Sequence, residues 1–364
     1  MKIDRWQFVV AVLALASASV VKAEINIGAV LPLTGSSASI GEDQRRGIEL
    51  AVAQINAKGG VMGQKLNAEI EDSGGTANTA LDAARKLVSV GKVPVVLGEF
   101  SSGITIPMAQ YVVKQGDVHV NIGSSSPAVR NVGSGSYSVI GLDDLSARFA
   151  AQDMFNLKMR KVAIIVPNNS YGQGIAAEFS KQFVALGGTV VSQVLYTEGQ
   201  STYRRELQQM SRAAPDGFVY SAYGQEAATI NREAYELGLN KTPWYGIYLT
   251  MCTSDTPPQI AQGQLGIEVA SVGSNGKFYE DAYQKAYKQP VKSSFGSYAY
   301  DAVMLSAAAI DKAQSADPQK VRSAMSQVGK SYDGATGVIA FDADGQREQQ
   351  PYEKVKFDKT VTAR

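Results

Sequence analysis

Two hydrophobic periods take turns along this chain. EINIGAVLPLTG reads as a buried strand running into a loop, and Gln44–Ala57 then places Ile48, Val52 and Ile55 at helical spacing before Gly59 and Gly60 stop it. LNAEIEDSGG alternates like a second strand. Thr79–Val90 carries Leu81, Ala84, Leu87 and Val88 on one helical face, VPVVLG is a third strand, and Val118–Ile122 a fourth. The alternation pauses between Tyr137 and Asp144 and resumes with a helix over Leu145–Phe155 and a strand over Lys161–Pro167. Helices over Gly174–Leu186, Tyr203–Arg212 and Glu226–Leu237 then interleave with strands TVVSQVLY, GFVYSAY and WYGIYL. Three more helices, Lys277–Gln289, Tyr298–Ala313 and Pro318–Val328, follow without strands between them and suit a return to cover the first sheet. ATGVIAFDADGQ reads as a hairpin. Such alternation predicts two α/β lobes with parallel sheets, and ligands in such sheets sit beyond the carboxyl ends of the strands.

Two of those strand ends have unusual chemistry. KVPVVLGEFSSGITIP passes from strand to helix through Glu99, Phe100, Ser101 and Ser102, and HVNIGSSSPAVRN does so through Gly123, Ser124, Ser125 and Ser126, with Pro127 suited to a first helical position. A helix N-terminus carries free amide protons and a partial positive charge, so added hydroxyls make each corner an anion site. Each serine alone could equally be a helix cap worth about 1 kcal/mol. Two such corners at neighbouring strand ends favour a shared grip on one carboxylate.

Composition fits a large soluble protein. A chain of 364 residues, 45% hydrophobic and 19% charged, has material for two cores. Its start, with Lys2 and Arg5, an apolar run from Phe8 to Ala16, and Val21, Lys22 and Ala23, matches a secretory signal peptide over residues 1–23, cut before Glu24. Losing Lys2, Asp4, Arg5 and Lys22 turns 35 basic and 34 acidic residues into 32 and 33, so the formal charge moves from +1 to −1. That balance attracts neither nucleic acid nor lipid. Cys252 is the sole cysteine, which excludes an internal disulfide. Export without a lipid anchor points to the periplasm.

INIGAVLPLTG, AVAQINAKGGVMGQKLNAEIEDSGG, SYGQGIAAEF and GATGVIAFDADGQ occur together in this order, and with them the chain resembles the Leu/Ile/Val-binding protein family of type I periplasmic solute-binding proteins. The resemblance spans Ile25 to about Phe357. It implies two doubly wound parallel-sheet lobes joined by a three-stranded hinge, residues 24–140 plus 270–333 and residues 141–269 plus 334–364, closing on a ligand between them. It also implies an ABC importer as setting, with permease and ATPase subunits as partners, a monomer, and no cofactor. The family's carboxylate clamp falls on Ser102, Gly123 and Ser125, with Ser101 and Phe100 beside it. Its second-lobe contacts fall on Tyr171 and Tyr223, and its first-loop position on Ile40. Where amino-acid binders carry an acid for the ligand's ammonium, this chain has Tyr248. A buried ammonium without a counter-charge is costly. Asp143 is the foremost substitute acid or else a helix cap, with Glu99 and Glu226 behind it. The missing acid and the box of Phe100, Tyr171, Tyr223 and Tyr248 favour an aromatic or hydrophobic carboxylate over a standard amino acid.

Enzyme readings find little support. Gly172, Gly174 and Ala177 imitate a dinucleotide fingerprint, but Pro167 to Tyr171 separate the strand from the first glycine. The sole histidine, His119, lies inside a strand, no Gly-x-Ser-x-Gly elbow occurs, and one histidine with one cysteine makes no clustered metal site. An exported sensor remains the alternative to an importer component, and amino-acid binding the alternative ligand class.

Overall fold

A computed structural model describes residues 24–270 and 273–363. The expected signal peptide lies outside the described residues. Among the described residues the chain forms two large sheets, whose parallel strands alternate with helices, and one two-stranded sheet.

The first sheet is wholly parallel, in the order β2-β1-β3-β4-β5. Its strands are β1 (Ile25–Leu31), β2 (Leu66–Asp72), β3 (Val95–Gly98), β4 (Val118–Asn121) and β5 (Ser136–Ser138). β1 is buried at nearly every position, as a parallel strand covered on both faces must be. α1 (Ala38–Ala57) begins six residues before the expected Gln44, and its buried stripe includes Ile40, Ile48, Ala51 and Ile55. α2 (Ala77–Lys86) continues through a π turn at Leu87–Gly91, and α3 (Ser102–Gln115) ends on left-handed Gly116.

The second sheet runs β14-β13-β10-β9-β8-β6-β7. β6 (Lys161–Pro167), β7 (Thr189–Tyr196), β8 (Gly217–Tyr220), β9 (Trp244–Ile247) and β10 (Leu265–Val269) are parallel. β13 (Tyr352–Asp358) and β14 (Thr360–Ala363) extend that edge antiparallel. α4 (Asp143–Asn156), α5 (Ser170–Ala185), α6 (Arg204–Arg212), α7 (Gly224–Glu236), α8 (Leu249–Thr253) and α9 (Pro258–Ala261) accompany it. α10 (Gly273–Tyr287), α11 (Ser294–Ala313) and α12 (Pro318–Val328) return to the first sheet, where α10 and α11 pack on α1, and α12 on β4. The approach of α1 to α11 is so close that a Cβ on Gly47 would lie 2.0 Å from the Gly296 carbonyl oxygen.

The stretch expected as a hairpin takes its partner from upstream: β11 (Tyr332–Gly334) pairs with β12 (Gly337–Ile339), and a Phe341–Arg347 bridge closes the following turn. The chain thus passes between the sheets near residues 139–142, near 270, and between 340 and 351. Arg347 ties the first and third passages together. Its buried guanidinium donates to the carbonyls of Val139, Thr336, Val338 and Gln349, to the Thr336 hydroxyl and to the Gln350 side chain. Among the described residues no helix is long and apolar enough to cross a membrane.

Candidate ligand-binding site

Five loops meet where the two sheets face each other, and each follows the carboxyl end of a strand: β3, β4, β6, β8 and β9. At the first corner Ser101 precedes α3 without capping it, and its amide donates to Glu99 Oε2 at 2.7 Å. Glu99 is turned inward, accepting also from the Ser73 hydroxyl at 2.7 Å, and burial pushes its carboxyl up to about 7. The Ser102 hydroxyl accepts from the Ser126 amide at 3.3 Å, joining the first corner to the second.

At the second corner the serines divide their work. Asn121 Oδ1 accepts from the amides of Gly123 (3.2 Å) and Ser124 (2.8 Å), holding the turn open-ended after β4. The Ser124 hydroxyl is buried against Thr105 Oγ1 and the Phe100 carbonyl, and that of Ser126 caps the short helical turn Pro127–Val132. Ser125 and Gly123 are left to face the cleft. Glycine is required there, because a Cβ on residue 123 would come 2.8 Å from the Phe100 Cα.

The opposite wall is aromatic. Asn169 caps α5 through the Gly172 amide, which sets Tyr171 in the first turn with its hydroxyl against Ser221. Tyr223 precedes α7, and its hydroxyl accepts from Asn169 Nδ2 at 3.2 Å. The rings of Tyr171 and Tyr223 lie 5.8 Å apart, and Tyr223 meets Phe100 edge-on at 5.2 Å. Tyr248 takes a left-handed backbone (φ +60°) between β9 and α8, bringing its ring 5.9 Å from Phe295 and its hydroxyl 3.3 Å from that of Tyr352. Phe295 in turn meets Phe100 edge-on at 5.0 Å.

Phe100, Gly123, Ser125, Tyr171, Tyr223, Tyr248, Met251 and Phe295 together enclose about 10 Å3, room for about one water. A ligand therefore enters only if these walls part. Ser101, Ser102 and Asp143 stand behind this lining. Ile40 belongs instead to an adjoining hollow of about 230 Å3 that also touches Met251, Asp255 and Lys292. A larger hollow of about 630 Å3 opens elsewhere at the hinge beside Glu268 and Glu353 and includes none of the expected ligand residues. Met251 and Phe295 carry no signal in the sequence: each lies in an ordinary stretch and reaches the cleft through the fold alone, while Tyr352 stands behind the lining as the hydroxyl partner of Tyr248.

The acids are disposed unevenly. Glu226 is occupied, accepting from the Tyr196 hydroxyl (3.0 Å) and the Gly199 amide (2.7 Å). Asp143 opens α4 with its amide donating to the Ser125 carbonyl at 2.7 Å. Its Oδ1 accepts a long bond from the Ser146 hydroxyl at 3.5 Å, whereas Oδ2 has no hydrogen-bond partner. Burial pushes this carboxyl up to about 8, the hydroxyls of Ser125 and Ser146 only partly opposing it. Near pH 7 the group is therefore mostly a neutral acid. His119 bonds the Gly98 carbonyl through Nε2 (2.6 Å) and Ser136 through Nδ1 (2.8 Å), deep in the first sheet. Among the described residues no group of three His, Cys, Asp or Glu could hold a metal ion. Gly172, which mimics a nucleotide fingerprint, has a packing reason: its Cβ would lie 1.8 Å from the Pro167 carbonyl oxygen.

A periplasmic binding protein family model matches residues 24–360. The chain belongs to the periplasmic binding protein family. It is accordingly a solute-binding protein and not an enzyme. The Leu/Ile/Val-binding protein BraC3 of Rhizobium johnstonii is 28% identical over 352 residues, covering 95% of each chain. The fold is shared with the branched-chain amino acid transporter substrate binding protein LivJ of Streptococcus pneumoniae, solved with isoleucine (TM-score 0.84, 23% identity, 94% of this chain and 100% of that one). It is shared equally with an ABC-transporter solute-binding protein of R. palustris solved with benzoate (TM-score 0.84, 18% identity, 94% and 95%). Proteins of this one architecture thus hold an amino acid in one case and an aromatic acid in another.

Proposed function

We propose that this chain is the periplasmic solute-binding component of an ABC importer, delivering a small aromatic or hydrophobic carboxylate to permease and ATPase subunits as a monomer. Export through the signal peptide at residues 1–23 belongs to this reading. The two lobes are residues 24–140 plus 270–333 and residues 141–269 plus 334–364. The hairpin β11-β12 straddles that last boundary and packs on α10. In the cleft Ser125 and Gly123 take the carboxylate, with Ser102 and Ser101 supporting from the neighbouring corner. Phe100, Tyr171, Tyr223 and Tyr248 enclose the body, and Ile40 borders the cleft mouth. The carrying observation is Tyr248: it lines the cavity with its hydroxyl bonded to Tyr352, and it stands where the family resemblance calls for an acid to meet an ammonium. The R. palustris relative with benzoate is an example of this ligand class on the same fold.

One observation favours amino-acid binding instead. Asp143 Oδ2 is buried without a partner, and an ammonium reaching it would restore its charge. Calorimetry with benzoate and cinnamate against leucine, valine, phenylalanine and aminobutyrate separates the two. The aromatic acids are expected to bind tightest, with no proton exchanged between buffers of different ionisation enthalpy. Tightest binding by leucine or valine, with release of about one proton near pH 7 as Asp143 ionises, would assign the site to amino acids.

A further inference from the structure

We propose that the hinge end of this cleft reads a hydroxyl group on the ligand through Tyr298 and Tyr352 acting with Tyr248, so that the ligand is a hydroxylated carboxylic acid. This rests on the carboxylate reading above and narrows it. Three separate segments supply the phenols: Tyr248 after β9, Tyr298 in α11 and Tyr352 at the start of β13. Tyr298 stands one turn beyond Phe295, which lines the cavity, and their rings are 6.0 Å apart. The rings of Tyr248 and Tyr352 are 6.3 Å apart, with hydroxyls 3.3 Å from each other. The Tyr352 hydroxyl occupies space left by a glycine at the first passage between the sheets, since a Cβ on Gly141 would lie 3.1 Å from it.

The unfinished element is Tyr298. Its hydroxyl is fully buried and has no hydrogen-bond partner, a condition native interiors rarely tolerate without a ligand, water or function. A phenol both donates and accepts, so a hydroxyl placed among these three completes the set by donating to one and accepting from another. A second carboxylate fits less well. The adjacent Arg347 has committed every N–H to carbonyls and side-chain oxygens of the hinge, leaving no donor for another anion. An ammonium would meet three neutral hydroxyls there. The uncharged hydroxyl is the group these partners suit, and a site built for one discriminates strongly against the analogue lacking it.

The test compares acids differing by one hydroxyl: 3-hydroxybenzoate and 4-hydroxybenzoate against benzoate, and mandelate against phenylacetate, by calorimetry on the mature protein. At least one hydroxylated acid is expected to bind about tenfold tighter than its parent. Tyr298→Phe is expected to remove most of that preference, leave the parent acid's affinity within about twofold, and keep the melting temperature; Tyr352→Phe is expected to act the same way. Parents binding as tightly as all their hydroxylated forms would overturn the inference while leaving the carboxylate reading in place. Equal loss for parent and hydroxylated acids in both variants would make the tyrosines hinge supports and overturn it also. Failure of every aromatic acid to bind would remove both readings together.

Discussion

Three consecutive serines after β4 carry different duties, and the difference can be measured. Ser124 and Ser126 spend their hydroxyls on Thr105 and on a cap, while Ser125 faces the cleft. Ser125→Ala is expected to weaken ligand binding by about 1–3 kcal/mol, the cost of a buried carboxylate oxygen short of a partner, with little change in melting temperature. Ser102→Ala should lower both, because it also removes the acceptor for the Ser126 amide; paired calorimetry and thermal melts distinguish the two. Asp143 makes a pH prediction. Its carboxyl rises from 3.8 to about 8 on folding, so across that window the native state holds a proton that the unfolded chain has lost, and stability falls as pH rises. Asp143→Asn should flatten this fall between pH 4 and 8 in denaturant titrations; an unchanged slope would mean the acid is ionised in the fold. At this scale the serine corners were legible from their place after strands, and the tyrosines through the family resemblance. The sequence could not reveal that Gly123 and Ser124 amides are taken up by Asn121, nor that Phe295 and Met251 join the lining, because no local pattern marks a residue that the fold brings to a cleft from a helix outside the serine corners.

Elements were legible where period and length were clear. The alternation of β1 to β4 with helices, and of β6 to β9 with theirs, stands in the hydrophobic pattern because the central strands, covered on both faces, are continuous apolar runs, while the edge strands β2 and β7 are marked by alternation and β-branched residues. β5 has only three residues, two of them serine, and β10 interrupts its apolar run with Gly266 and the buried Glu268, so neither left a usable signal. Several helices begin earlier than the spacing predicts, as α5 does, at Ser170 through the Asn169 cap and not at Gly174. That early start matters for function: it is what puts Tyr171 in the cleft. Gly172→Ala should therefore do two things. With 1.8 Å between its Cβ and the Pro167 oxygen, the first turn of α5 must shift, costing about 1–3 kcal/mol of stability and weakening binding as Tyr171 moves. Urea denaturation and ligand titration of the same variant check both, and retained affinity in a destabilised protein would detach Tyr171 from the site.

At the scale of the molecule the cleft lies between sheets that meet through the tied passages at Val139 and Arg347, and its mouth is fastened at a second place. The Ser39 hydroxyl donates to Asp255 Oδ2 at 3.1 Å, bridging α1 to the loop after α8, and Gly224 packs there so closely that a Cβ would lie 2.8 Å from the Ser36 carbonyl oxygen and 2.9 Å from Asp255 Oδ2. Gly224→Val should hold the lobes apart, lowering affinity mainly through faster dissociation and leaving a larger radius of gyration at saturating ligand in small-angle scattering. A variant as compact as the parent protein would show that this contact does not govern closure. The most direct test of the central claim, that this cleft captures a carboxylate with an aromatic or hydrophobic body and no amine, is the small molecule that the protein itself carries. Mass spectrometry of what is released when protein purified from its native periplasm is denatured should yield one stoichiometric carboxylic acid free of nitrogen. Release of leucine, valine or another amino acid in that position would contradict the account.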